Sequence, residues 1–392
     1  MLSDNYLKYE KKIISKINRF ELSIKDHNEL KNDFKNSKIL IVGAAGSIGS
    51  ALVKAILNYD FSRLILVDKN ENDLTELNRK INLKNIKRDK ISKIIYICND
   101  LTSCSINDTI SKYKISHYLN FAALKHVRSE ENIDSIKYMF LTNSKSFIDE
   151  KNMSKLRTLK KLFSISTDKA VNPSSLLGLS KVFMEQKLAQ IKKRSSLFVS
   201  TARFANVSFS NGSILKNIVD KINEKKILGI PRNIKRYFIT HEEACSICLS
   251  ALLTRNDGFI VVPSLKIIGK QKSIKHLCDK ICAFMRIRPK YVYKKKKNDG
   301  IIDKKNRLIV ISSGKNHGQK KEEELFSIKE NVEIDTNNKS ITKTKLVFNK
   351  DFNKLIKQIL EELNYTKLKS ILSGKVKFFK PTKKTHKISA II

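Results

Sequence analysis

The sequence has no charge-free apolar run of the roughly 18–20 residues that a membrane-spanning helix requires. The nearest approach is Ile39–Val53, and its glycines have another use. The start, Met1-Leu2-Ser3-Asp4-Asn5-Tyr6, does not place a basic segment ahead of an apolar one, so no secretory signal is visible and a cytoplasmic location is expected. Carboxylates are scarce: 38 Asp and Glu face 78 Lys and Arg, a formal net charge of +40. Such an imbalance raises nucleic acid, anionic membrane surfaces and acidic substrates as partners. The excess is mostly Lys, is spread from Lys8 to Lys387 and accompanies abundant Asn and Ile, a pattern that an A- and T-rich gene is sufficient to cause. With neither a clustered patch nor a recognisable module, no specific nucleic-acid partner is expected.

Cysteine is also sparse, at six residues. Cys245-x-x-Cys248 with Cys278-x-x-x-Cys282 has enough thiolates for tetrahedral zinc. Both pairs lie in segments that read as buried helix, however, where reduced Cys behaves as a small hydrophobe. No metal is expected.

At 392 residues the chain has room for two lobes. Residues 5–35 read as charged helix, with Tyr9, Ile13, Ile14, Ile17 and Phe20 at helical spacing. Short runs rich in Ile, Leu and Val follow at Lys38–Val42, Arg63–Val67, Lys93–Cys98, His117–Phe121 and Leu162–Ser166. They have the length and composition of buried parallel strands, and the mixed-polarity stretches between them can supply crossover helices. The expected class is α/β, a Rossmann-type doubly wound parallel sheet with a smaller C-terminal substrate-binding lobe and an N-terminal helical extension. The expected divisions are a helical extension at 1–35, a cofactor-binding domain at 36–200, a partly interleaved substrate lobe at 201–335, and a C-terminal helix with basic tail at 336–392. Within these, helices are expected at Glu242–Leu253 and Phe352–Leu363, a loop from Lys294 to Lys305, and a mobile end from Lys375.

The run Lys38–Val42 leads into Gly43-Ala44-Ala45-Gly46-Ser47-Ile48-Gly49 and then into Ala51–Leu57. Strand, glycine turn and helix in that order suit a pyrophosphate: glycines allow close approach, and the helix N-terminus offers free N–H groups at its positive dipole end. The next strand ends in Asp68, close to the place where a carboxylate accepts from the adenosine ribose. Asp68 favours NAD because it would repel a 2′-phosphate, whereas Lys69 beside it can offset that, so both NAD and NADP stay open.

This glycine spacing resembles that of the short-chain dehydrogenase/reductase superfamily. Asn99-Asp100-Leu101 is similar to its adenine-contacting segment, and Asn120-Phe121-Ala122-Ala123-Leu124-Lys125-His126-Val127 resembles the "AALKHV" segment of one extended branch. That branch comprises the CapD-like polysaccharide-biosynthesis proteins and the UDP-N-acetylglucosamine 4,6-dehydratases. Ser166-Thr167-Asp168-Lys169-Ala170-Val171-Asn172-Pro173 matches its "STDKAVNP" residue for residue. Arg203–Val207, Arg236–Thr240 and Gly318–Leu325 resemble its "RFGNV", "RYFMT" and "GEKLHEEL" in the same order.

The resemblance implies a hydro-lyase that keeps a tightly bound NAD or NADP through its cycle, takes a UDP-sugar as substrate and assembles as a homo-oligomer. It places catalysis on Thr167, Asp168, Lys169 and Lys181, with Asp168 and Lys169 as the acid–base pair. Cofactor contacts are expected from Gly43, Ala45, Gly46, Ser47, Ile48, Gly49, Asp68, Lys69, Asp100, Leu101, Ala122, Ala123, Lys125, Asn143 and Lys181. Lys125, His126, Asn206 and Arg236 are expected at the substrate. The sequence departs from the pattern once. The superfamily's Tyr-x-x-x-Lys reads Leu177-Gly178-Leu179-Ser180-Lys181, and leucine cannot accept a proton. A nucleotide-sugar epimerase, or a weakly active cofactor-binding protein, is the alternative.

Overall fold

A computed structural model describes residues 4–83, 86–100, 106–125, 132–145, 156–224, 226–231, 233–293, 308–313, 320 and 322–349. The five expected strands form β1 (Lys38–Val42), β2 (Arg63–Asp68), β3 (Ile94–Cys98), β4 (His117–Asn120) and β5 (Lys161–Thr167), and an unexpected β6 (Phe198–Phe204) follows. Farther along come β7 (Phe259–Pro263), β8 (Val332–Ile334) and β9 (Ile341–Lys345). Together they make a nine-stranded sheet in the order β8-β9-β7-β6-β5-β4-β1-β2-β3. Strands β1 to β7 run parallel, while β9 and β8 close the edge antiparallel.

This is the expected doubly wound α/β fold. Strand order reverses between β1 and β4, and such a reversal opens a crevice beyond the C-terminal strand ends. The centre is firmly anchored: Ile39, Leu40 and Ile41 are all fully buried, each stabilising by roughly 1.5–3 kcal/mol relative to exposure.

The expected divisions at 200/201 and 335/336 fall inside β6 and between β8 and β9. The chain leaves the sheet after β6, returns for β7, leaves again and returns for β8 and β9, so the smaller lobe is built from two excursions of one sheet. That lobe holds a three-stranded parallel sheet of Pro289–Tyr293, Leu308–Ser313 and Leu228–Pro231. Helices Ile214–Asn223 and Ile274–Phe284 pack with it around Phe209, Leu215, Ile218, Leu277 and Cys278.

The N-terminal segment differs from the single helix expected. Asp4–Tyr9 continues as a π turn, Glu10–Ile14, and helix resumes only at Ile24–Phe34 behind a Ser23–Asp26 capping box. The break comes at Arg19, whose guanidinium donates to Glu243 at 2.6 and 2.9 Å and to the carbonyls of Phe238 and Ile268. Ile17, expected on the buried face, is exposed as a result. Ile13 and Ile14 pack in the smaller lobe and Phe20 under the main sheet, so the segment straps the two together.

Cys245 and Cys248 are buried in helix His241–Ala251 within the main core, and Cys278 and Cys282 in the core of the smaller lobe. The two pairs therefore sit in separate apolar clusters. Among the described residues no helix is long and apolar enough to cross a membrane. The expected helix Phe352–Leu363, the loop Lys294–Lys305 and the tail from Lys375 lie outside the described residues.

Candidate active site

A cleft of about 810 Å³ opens where the sheet meets the smaller lobe. Its floor is the glycine turn. Gly43 has φ 72°, and a Cβ there would stand 2.6 Å from the Ala122 nitrogen; at Gly49 it would stand 2.1 Å from the Gly43 carbonyl oxygen. Neither position tolerates a side chain, which brings Ser47–Ile56 in with its N-terminus against the turn. Gly46 caps that helix without a side chain, leaving its first N–H groups directed into the cleft. Gly43, Gly46, Ser47, Ile48, Gly49 and Ala123 all line the cleft.

Beyond β2, Asp68 accepts from the Ala45 and Asn70 backbone nitrogens, both at 3.0 Å, and so fixes the glycine turn. Lys69 Nζ donates to the Tyr138 hydroxyl at 3.0 Å and lies over its ring, while that hydroxyl donates to Asp100. Asn143 is buried behind the wall: its side chain bonds the backbone N–H and carbonyl of Leu124 and donates to Ser180 Oγ. The bracing sets the path of Ala122–Lys125. Leu101 and His126 lie outside the described residues.

At the end of β5 the chain enters a single 3-10 turn, Asp168–Ala170. Helix Leu176–Arg194, capped by Ser175, packs hard against it, since a Cβ on Gly178 would meet the Lys169 carbonyl oxygen at 2.3 Å. Thr167 Oγ1 donates to Asp168 Oδ1 at 2.7 Å and Lys169 Nζ to the same oxygen at 3.3 Å. Asp168 is 4% exposed, whereas 39% of the Lys169 side chain faces the cleft. Burial opposes the charge on Asp168, but Lys169, Thr167 and Glu323 together hold its pKa below the ordinary carboxylate value. Burial likewise opposes the Lys169 ammonium, and the Asp168 and Glu323 carboxyls more than offset it, raising its pKa. At rest the two form an ion pair.

Lys125, Lys181 and Lys320 also line the cleft. Lys181 donates to the Ile165 carbonyl at 3.0 Å, and burial pushes its pKa down to about 8. Burial, followed by the charge of Lys169, brings Lys125 down to about 8 as well. Leu177 is buried at the same wall, one helical turn before Lys181.

Sequence reasoning assigned no role to Glu323, which is 7% exposed and also lines the cleft. It accepts from Asn206 Nδ2 at 2.8 Å, Arg236 Nε at 3.1 Å and the Tyr237 nitrogen at 2.9 Å. Two of the donors expected at the substrate, Asn206 and Arg236, thus converge on this carboxyl, while Lys125 donates to Ser210 Oγ. Its segment is tied down by Arg203, which donates to the Leu325 carbonyl and pairs with Glu185 and Glu330, and by Lys320, which donates to the Val171 carbonyl. The only sequence signal was the Gly318–Leu325 resemblance, and it cannot single out one of three adjacent glutamates.

A nine-stranded sheet wound in this order, with the glycine turn and the Thr167–Lys169 segment lining one cleft, has the fold of an extended short-chain dehydrogenase/reductase. Within that class the sequence matches the family described as polysaccharide biosynthesis protein over residues 39–345, and the chain belongs to it. It is 28% identical over 372 residues to an uncharacterized membrane protein of Methanocaldococcus jannaschii, covering 86% of this chain and 99% of that one. A probable polysaccharide biosynthesis protein of Bacillus subtilis is 27% identical over 262 residues; the match takes in 64% of this chain but only 42% of the Bacillus protein. Among solved structures, UDP-N-acetylglucosamine 4-epimerase from Methanobrevibacter ruminantium aligns with a TM-score of 0.55 at 16% identity, covering 86% of this chain and 99% of that one. A dTDP-glucose 4,6-dehydratase of Streptomyces venezuelae, bound to NAD, aligns at 0.53 and 14%, covering 74% and 87%. At these identities the two structures share the fold.

Proposed function

We propose that the protein is a nucleotide-sugar 4,6-dehydratase that converts a UDP-N-acetylhexosamine to its 4-keto-6-deoxy form for surface-polysaccharide or glycan synthesis. The observation that carries this reading is the Thr167–Asp168–Lys169 relay in the cleft, because removing water from a sugar requires an acid and a base side by side. A 4-epimerase has no such need. The epimerase reading draws on the equal likeness of epimerase and dehydratase folds, whereas Leu177, which departs from the family pattern, favours a weakly active cofactor-binding protein.

The cradle fits a nicotinamide dinucleotide. Gly43 and Gly49 let the turn and the helix N-terminus close on neighbouring backbone as a pyrophosphate cradle requires, and Asp68 stands at the ribose end. NAD suits the site better than NADP, because Lys69 is drawn off to Tyr138 and leaves Asp68 unopposed. When bound, the dinucleotide accepts hydride from carbon 4 and returns it to carbon 6, so tight retention through the cycle suits the chemistry. In this reading Lys181 and Lys125 flank the nicotinamide end, and Asn206 and Arg236 lie toward the sugar diphosphate.

Thr167 takes over from the missing tyrosine. It orients the carbon-4 hydroxyl and passes its proton along the 2.7 Å hydrogen bond to Asp168. Protonating Asp168 removes the charge that holds Lys169 as an ammonium. Burial and the nearby Arg236 then favour the amine, so Lys169, which is partly exposed, gives its ammonium proton to solvent, to be regained when the cycle closes, and takes the proton from carbon 5. The Asp168 proton leaves with the carbon-6 hydroxyl as water, and Lys169 returns its own proton to carbon 5. Incubation with UDP-N-acetylglucosamine, followed by mass analysis, tests the proposal: a product lighter by one water is expected, and a product of unchanged mass contradicts it.

A further inference from the structure

Asp168 does not stand alone. The Glu323 carboxyl reaches it from a segment far along the chain and lies in hydrogen-bonding contact with it. Both groups are buried, at 4% and 7% exposure, and both line the cleft. Two carboxyl groups in such contact away from solvent disfavour a second negative charge, and a proton between them relieves it. Lys169 sits on the Asp168 side, 3.3 Å from Oδ1, and Thr167 donates to the same oxygen. These contacts assign the negative charge to Asp168 and the shared proton to its partner.

We propose that Glu323 and Asp168 form a proton-sharing carboxyl dyad in which Glu323 is the positioning residue that aims Asp168 and sets the charge on Lys169. Its segment is built to hold that place. Arg203 and Lys320 anchor the backbone on either side, and Gln271 bonds the Glu323 backbone N–H and carbonyl. The groups facing Glu323 are Asp168 and Lys169 from the turn after β5, Arg236 and the Tyr237 nitrogen from one neighbouring strand segment, and Asn206 from another. Burial, then the Asp168 charge, outweighs Lys169 and Arg236 and pushes the Glu323 carboxyl up to about 8. Above that pH a second negative charge appears beside Asp168, and Lys169 is held more firmly as an ammonium. Elimination should therefore slow as pH rises through about 8.

The consequence for rate rests on the dehydratase reading; the shared proton does not. The test is accordingly an infrared difference spectrum of the purified protein with its nucleotide in place, wild type minus Glu323→Gln, recorded from pH 6 to 10. A protonated-carboxyl band present at neutral pH, lost around pH 8 and missing in Glu323→Gln supports the dyad. No such band overturns it. Asp168→Asn provides a second arm that does not depend on the Gln variant folding. With the neighbouring charge gone, the Glu323 band should titrate at lower pH, and an unmoved titration also overturns the proposal. In the pH–rate profile, Glu323→Gln should slow turnover by roughly tenfold or less and lose its alkaline limb, because the amide still donates to Asp168 but cannot ionise. A residue that serves only as the counter-ion of Arg236 predicts the limb unchanged. If the band is present and the wild type yields only a carbon-4 epimer, the dehydratase reading fails and the dyad stands.

Discussion

Replacing Gly178 with Ala should disable the acid–base turn while leaving the cofactor cradle intact. An added Cβ would lie 2.3 Å from the Lys169 carbonyl oxygen and 3.1 Å from Pro173 Cβ. The first contact is with backbone, so relief requires helix Leu176–Arg194 and the Asp168–Ala170 turn to separate by about 1 Å, and a displacement of that size costs roughly 10²-fold in rate. The same overpacking should cost about 1–3 kcal/mol of stability, lowering Tm by about 2–4 °C for each kcal/mol. Gly229→Ala is the matched control, since nothing lies within 4 Å of its added Cβ. The assay is water loss in a single turnover, beside a melting curve and chromatography of nucleotide released on denaturation. Nucleotide should be released in wild-type amount, because the glycine turn lies across the cleft. A Gly178→Ala protein with wild-type rate and Tm would show that turn and helix do not press on each other as the structure has them.

Lys169→Met should abolish loss of water, by about 10²–10⁴-fold, while leaving nucleotide bound; a 4-keto-6-deoxy product at the wild-type rate would remove Lys169 from the mechanism. Leu177→Tyr should be tolerated or should speed carbon-4 oxidation, read as reduced-nucleotide absorbance on adding UDP-sugar, because it restores a base one turn from Lys181. Arg19→Ala leaves the Glu243 carboxylate buried without its guanidinium, a loss of about 3–5 kcal/mol that a denaturant titration would show. The Glu323 proton also makes stability depend on pH. Its native pKa lies above the ordinary 4.5, so its contribution is full below about 4.5 and is lost as pH rises through about 8; Glu323→Gln should flatten that part of the Tm profile.

Much of the cofactor half was legible because its signals are local. A strand, a glycine turn and a helix follow one another within Lys38–Leu57, and Gly46 and Gly49 face the nearby Gly43 carbonyl, although Gly43 itself is required by distant Phe121 and Ala122. The Ser166–Pro173 segment was legible for the same reason. The break in the N-terminal helix was not, since Ile17 keeps helical spacing and the cause, Arg19 reaching Glu243, is a tertiary contact. Likewise β6 to β9 were missed; Val332–Ile334 and Ile341–Lys345 alternate too briefly to announce strands, and they are ordered by β9 pairing with β7 and β8 pairing with β9. Glu323 shows the limit most clearly, because its chemistry depends on Asp168, Asn206 and Arg236 arriving from three other segments.

The central claim is that hydride removed from carbon 4 returns to carbon 6 of the same sugar after Asp168 and Lys169 expel water. The direct measurement is conversion of UDP-N-acetylglucosamine deuterated at carbon 4, followed by NMR location of the label. Deuterium at carbon 6 of a 4-keto-6-deoxy product is the predicted result. Deuterium still on carbon 4 of an inverted sugar would contradict the account and establish the epimerase reading.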